Sequence, residues 1–66
     1  MKNRVREYRE NFHLSQQELA EAVGVSRQMI SYIENGTKKP NLILALKIAK
    51  FFDIPVSQLF ELDVSD

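Results

Sequence analysis

The chain has no cysteine and a single histidine among its 66 residues. Without cysteine there are no disulfide staples and none of the thiolate zinc sites that hold many small domains together. One histidine cannot build a transition-metal centre by itself, and nothing in the sequence points to a cofactor or a small-molecule ligand. No apolar run approaches the roughly 20 residues that span a bilayer. Met1-Lys2-Asn3 leads into patterned sequence without the features of a secretory leader, so the expectation is a cytoplasmic protein with no membrane partner. Glycine and proline occur only twice each, which makes each of them informative about where an element stops. Neither sign of charge prevails, with nine basic and nine acidic residues. What remains is one domain over residues 1–66, with a core of marginal size unless a partner adds to it.

A zero net charge argues mildly against a nucleic-acid partner, because domains of that kind often carry a basic excess. The distribution weakens the objection. Residues 1–40 hold seven Lys or Arg against five Asp or Glu, whereas residues 41–66 hold two against four. The basic part can face phosphate while the acidic part faces away.

The basic part contains the most informative segment, LSQQELAEAVGVSRQMISYIENG from Leu14 to Gly36. Ser15 and Glu18 have the spacing of a capping box, in which the hydroxyl accepts a first-turn N–H and the carboxylate reaches back to the cap. A helix therefore starts near Gln16. Leu19, Ala20 and Val23 form its buried stripe, and Gln17, Glu18 and Glu21 face water. Gly24 stops it, because glycine takes a left-handed backbone cheaply. Val25 is an apolar plug, Ser26 caps a second helix with Ile30 and Ile33 inward, and Gly36 ends that helix.

Two capped helices with so short a connection pack at a steep angle, which is the helix-turn-helix arrangement. The outer face of the second helix is Arg27, Gln28, Ser31 and Tyr32, with Met29 beside them. Arginine and glutamine carry the paired donors and acceptors that match base edges in the major groove. The competing reading is a polar face that is merely solvated.

Along the whole chain the pattern predicts five helices, at about residues 4–11, 16–23, 27–34, 42–52 and 56–60, with no repeat or low-complexity segment. In the first, Val5, Tyr8 and Phe12 point inward. His13 follows as a strained left-handed cap rather than a functional group. Asn41 caps the fourth, and Pro55 sits at the first turn of the fifth. The alternation in Glu61-Leu62-Asp63-Val64 is a weak strand signal, and pairing with Met1 to Asn3 would give a two-stranded ribbon.

From about Arg4 to Phe60 the chain resembles the Cro/repressor-type, or xenobiotic-response-element, helix-turn-helix family. The words VREYRE, LSQQELAEAVGVSRQMISYIENG, KKPNLILALKIAKFF and IPVSQLF carry the resemblance, in order and at the expected spacing. It implies an all-α, lambda-repressor-like bundle of five helices. It further implies an Arg9–Glu34 ion pair tying the first helix to the recognition helix, the rival reading of Arg9 being a phosphate contact. Gln16, at the positive end of the second helix, matches a position that the family uses on phosphate. Ser26 is grouped with it. The loop Thr37-Lys38-Lys39-Pro40 is a solvated turn in an arbitrary protein. After a recognition helix it places Lys38 and Lys39 over the backbone, assisted by main-chain N–H groups near Asn35.

By the same resemblance Leu42, Ala45, Leu46, Ala49 and Phe52 are the core positions of the fourth helix. Ile43, Leu44, Ile48 and Phe51 are then surplus, which calls either for a partner or for a core that wraps further round. The expectation is a homodimer formed through Leu44, Ile48, Phe51, Leu59 and Leu62, with two recognition helices on a pseudo-palindromic double-stranded DNA operator. Arg27 and Gln28 carry most of the base reading, with Tyr32 and Met29 alongside. The expected function is transcriptional regulation as a repressor or autoregulator. The alternatives are an antitoxin that also binds its promoter and an interaction module that has lost DNA binding. No nucleophile, base and oxyanion donors converge, which argues against an enzyme.

Overall fold

The computed structural model describes residues 1–66. In chain order the elements are β1 (Lys2–Asn3), α1 (Val5–Asn11), α2 (Gln16–Val23), α3 (Arg27–Glu34), α4 (Leu42–Phe52), α5 (Val56–Leu59) and β2 (Phe60–Glu61). The mostly helical five-helix architecture expected from the sequence is present, closed by a terminal ribbon. No helix is long and apolar enough to cross a membrane.

Local side-chain chemistry sets most of the helix starts. The Ser15 hydroxyl accepts from the Glu18 N–H at 3.0 Å, and the Glu18 carboxylate accepts from the Ser15 N–H at 2.8 Å. The Ser26 hydroxyl accepts from the Met29 N–H at 3.1 Å, and the Asn41 side-chain oxygen accepts from the Leu44 N–H at 2.8 Å. Each bond satisfies an N–H that the helix itself leaves free. α1 has no such cap on Arg4. Asn3 instead takes the Val5 N–H and passes its own amide N–H to the Ile33 carbonyl, so the start of α1 is tied to α3.

The ends are set by backbone handedness. Gly24 closes α2 at φ +76°. α3 ends on Asn35, one residue before Gly36 enters the left-handed region. His13 takes φ +57°, the strained cap read from the sequence. Asp53 does the same at the end of α4, at φ +59°, without the glycine that would make it cheap.

β1 and β2 pair antiparallel with Lys2 opposite Glu61 and Asn3 opposite Phe60. The second strand thus begins a residue earlier than the alternating tail implied, and α5 is shortened to make it. Phe60 is half-buried against the core and anchors the strand, whereas Leu62 and Val64 stay exposed.

One core joins the helices, made of Val5, Leu19, Ala20, Val23, Ile30, Ile33, Leu44, Ile48, Ala49, Phe52 and Leu59. Two expectations about it change. Phe12 is half-exposed and packs edge-on against Phe52 at 5.0 Å, covering the core rather than entering it. On α4 the inward stripe is Leu44, Ala45, Ile48, Ala49 and Phe52, while Leu42 and Leu46 face out at 72% and 48% exposure. Lys47 and Lys50 are the only polar residues in this helix, so its periodicity marks no single buried face. Docking against α2 and α5 decides which stripe turns in.

Candidate nucleic-acid interface

α2 and α3 share the core through Leu19, Val23, Ile30 and Ile33, which turns the opposite side of α3 outward. Successive residues on a helix rotate by about 100°, so Arg27, Gln28, Ser31 and Tyr32 lie on that outer side. Arg27 and Gln28 are exposed, and Ser31 and Tyr32 are half-exposed. Met29 does not join them. Its side chain is partly buried against the core, because its position borders the inward stripe. Of the four base-reading residues expected, the structure groups Arg27, Gln28 and Tyr32 and sets Met29 apart.

The outer face is internally linked. The Gln28 amide Nε2 donates to the Tyr32 hydroxyl at 2.7 Å. The Lys38 ammonium lies 5.0 Å from the centre of the Tyr32 ring, within the range of a cation–π contact. The Tyr32 carbonyl accepts from the N–H groups of both Thr37 and Lys38, at 2.9 and 3.2 Å, so the loop folds back on the end of α3.

Asn35 braces the same loop, its side-chain oxygen accepting from the Thr37 N–H and hydroxyl. The main-chain N–H groups of Asn35, Gly36, Thr37 and Lys38 all donate within the protein. The main-chain donors expected near Asn35 are therefore already engaged, and the loop presents side chains to an approaching anion instead. Lys38 and Lys39 are exposed, but Lys39 Nζ lies 3.3 Å from the Asp66 carboxylate. The acidic C-terminal part of the chain thus reaches the basic loop, against the expected separation of charge.

At the inner end of α3, the Glu34 side chain has no exposed surface and draws groups from two other helices. Arg9 Nε and Nη2 from α1 donate to its carboxylate at 2.6 and 3.2 Å. Arg6 adds a contact at 3.4 Å, and the Gln16 amide from α2 donates at 3.1 Å. Arg9 also donates to the Leu14 carbonyl at 2.7 Å. The guanidinium thereby ties α1 to Glu34 of α3 and to the backbone ahead of α2.

Burial raises the Glu34 pKa. The hydrogen bonds from Arg9 and Gln16, the positive charge of Arg9 and the bond from Arg6 outweigh this and hold the carboxyl below its ordinary value. Arg9 is shifted upward, mainly by its hydrogen bonds to Glu34. The family resemblance marked Arg9 but not Arg6 or Gln16 as a partner of Glu34. The i, i+3 spacing of Arg6 and Arg9 on α1 was the available signal. One N–H of the Gln16 amide is spent on Glu34, which leaves its second for an anion at the start of α2. Gln17 bonds to Glu21 and points elsewhere.

The surface expected to bring two copies together needs correction. Leu44, Ile48 and Leu59 are buried in the monomer, at 8%, 0% and 0% exposure, so they complete the core and are not available to a second chain. Phe51 and Leu62 are exposed, as are Leu42, Ile43 and Leu46. The apolar surplus is real but lies on a different stripe of α4.

A family model described as helix-turn-helix matches residues 5–59. A helix-turn-helix-type transcriptional regulator of Bacillus subtilis is 48% identical to this chain over 63 residues, 96% of either protein. Among solved structures, a restriction-modification controller protein from Aeromonas hydrophila has a TM-score of 0.80 at 37% identity, with 86% of each chain covered. The P22 c2 repressor, solved in complex with a synthetic operator, has a TM-score of 0.84 at 30% identity, with 91% of each covered.

Proposed function

The chain belongs to the helix-turn-helix family, and on that premise we propose that it binds double-stranded DNA in a sequence-specific way as a homodimeric transcriptional regulator. It is a transcription regulator of the repressor type and not an enzyme. Residues 1–66 act as one DNA-binding domain in the cytoplasm, on a pseudo-palindromic operator, repressing a target or the chain's own gene.

The observation that carries this reading is the outer face of α3. Arg27 and Gln28 stand exposed on it, Tyr32 lies one turn on, and Lys38 flanks it. Arginine matches the two acceptors of guanine, and glutamine matches the donor and acceptor of adenine. Gln16, Ser26, Lys38 and Lys39 grip phosphate on either side, positioning the helix without reading sequence. Asn35 supports that loop from within.

One such helix reads only a few base pairs. Two-fold symmetry places a second recognition helix about 34 Å away in the next major groove, and the exposed apolar residues Leu42, Ile43, Leu46, Phe51 and Leu62 supply the surface for it.

Selection of bound DNA from a random pool, with affinity of the winner measured against salt, tests the whole reading. A palindromic motif with half-sites one helical turn apart is the expected result. No enrichment even at low salt would sink it and leave an interaction module.

A further inference from the structure

Tyr32 touches both a base-reading candidate, Gln28, and a phosphate-positioning candidate, Lys38, and it does so with different parts of itself. Its hydroxyl takes one N–H of the Gln28 amide. Its ring lies under the Lys38 ammonium, and its carbonyl holds the backbone of the loop that carries Lys38. A glutamine amide free on a helix surface rotates between two opposed orientations of similar energy, presenting its donor and acceptor in either order. The phenol hydroxyl can accept from Nε2 or donate to Oε1, and in the bond observed it accepts from Nε2, which leaves the second N–H and the carbonyl oxygen in a fixed order. That pair complements the N7 acceptor and N6 donor of adenine.

We propose that Tyr32 is a positioning residue that acts through Gln28 and Lys38 rather than by touching a base: its hydroxyl orients the Gln28 amide for adenine and its ring holds Lys38 at the groove edge. This rests on the DNA-binding reading above. Fixing both side chains before the encounter removes part of the ordering cost of binding, and the hydroxyl and the ring contribute separately.

The separation allows a test with Tyr32→Phe, which deletes the hydroxyl and keeps the ring, and Tyr32→Leu, which deletes both. Quantitative binding to single-base variants of the selected operator is compared with Gln28→Ala, which marks the base pair that Gln28 reads. Tyr32→Phe is expected to lower the preference at that same base pair about three- to tenfold and to leave the salt slope unchanged. Tyr32→Leu is expected to lower the preference equally and to reduce the slope by up to about one. In the unbound protein, the side-chain N–H signals of Gln28 are expected to shift on Tyr32→Phe by NMR.

The positioning role is overturned if Tyr32→Phe keeps the full preference, if it loses preference at a different base pair, or if the Gln28 amide signals do not move. Absence of any base preference in the unsubstituted protein overturns the DNA-binding reading itself, and the proposal falls with it.

Discussion

α3 and α4 are neighbours in sequence and pack into the same core, yet their sequences constrain them to very different degrees. α3 places Ile30 and Ile33 inward and leaves a polar face, so only one rotation about its axis buries its apolar residues. α4 is apolar nearly all the way round, and several rotations would bury a comparable stripe. A helix whose polarity is lopsided carries its own orientation. One whose polarity is nearly uniform takes its orientation from its neighbours.

The difference extends to what each helix leaves outside. α3 presents side chains whose hydrogen-bonding groups suit base edges, while α4 presents Leu42, Ile43, Leu46 and Phe51, which suit another apolar surface. The two faces divide the proposed function into reading and pairing.

The contrast can be broken most severely at the anchor of α3. Arg9→Ala is expected to cost about 3 to 5 kcal/mol in urea unfolding, because it strips the buried Glu34 carboxylate of its main partner. A loss under about 1 kcal/mol would mean that Arg6 and Gln16 suffice to hold the charge. The same site sets an acid limit. The Glu34 pKa is lowered on folding from 4.5, so the stability it contributes is fully present above about pH 4.5 and is lost as pH falls through the folded value. Glu34→Gln should remove that component of the acid transition, which a urea series across pH will read.

On α4, Ile48→Ala is expected to cost about 2 to 5 kcal/mol and Leu42→Ala less than about 0.5 in the monomer. The reverse ranking would show that the helix sits rotated. Leu42→Ala should instead weaken self-association, seen by sedimentation as a shift of the dimer to higher concentration.

On the outer face of α3, Arg27→Ala is expected to cost about 1 to 3 kcal/mol on the selected operator and to relax one base pair. Lys38→Ala should weaken all sequences alike and flatten the salt dependence. An unaltered footprint and preference for Arg27→Ala would mean that the helix docks by another face. The smallest expected effect is at His13, which holds φ +57°. His13→Gly is expected to raise stability by about 1 kcal/mol with DNA binding unchanged, measured by thermal unfolding and gel shift.

Much of the fold is legible along the chain because its signals are local. The Ser15–Glu18 box, the Ser26 and Asn41 caps, the Gly24 stop and the His13 turn each join residues no more than a few positions apart. Less of the candidate site is legible. Arg27 and Gln28 are marked by residue type on a free helix face. The Gln28–Tyr32 bond, the Lys38–Tyr32 contact and the Lys39–Asp66 pair depend on how side chains and distant segments meet. Met29 shows the limit well, since its position borders both faces of α3 and packing alone assigned it to the core side.

Local pattern along the chain therefore sets where α2, α3 and α4 start and stop, the helix-turn-helix built from α2 and α3, and which side of α3 stays polar. These follow from hydrogen bonds and backbone handedness within a turn or two and from a strong 3.6-residue asymmetry. The tertiary structure alone decided the rotation of α4, the gathering of Arg6, Arg9 and Gln16 on Glu34, the register of the ribbon and the buried state of Leu44, Ile48 and Leu59. Those outcomes depend on contacts between segments far apart in the chain, where local pattern is degenerate and the best-packed arrangement of the whole core selects among equals.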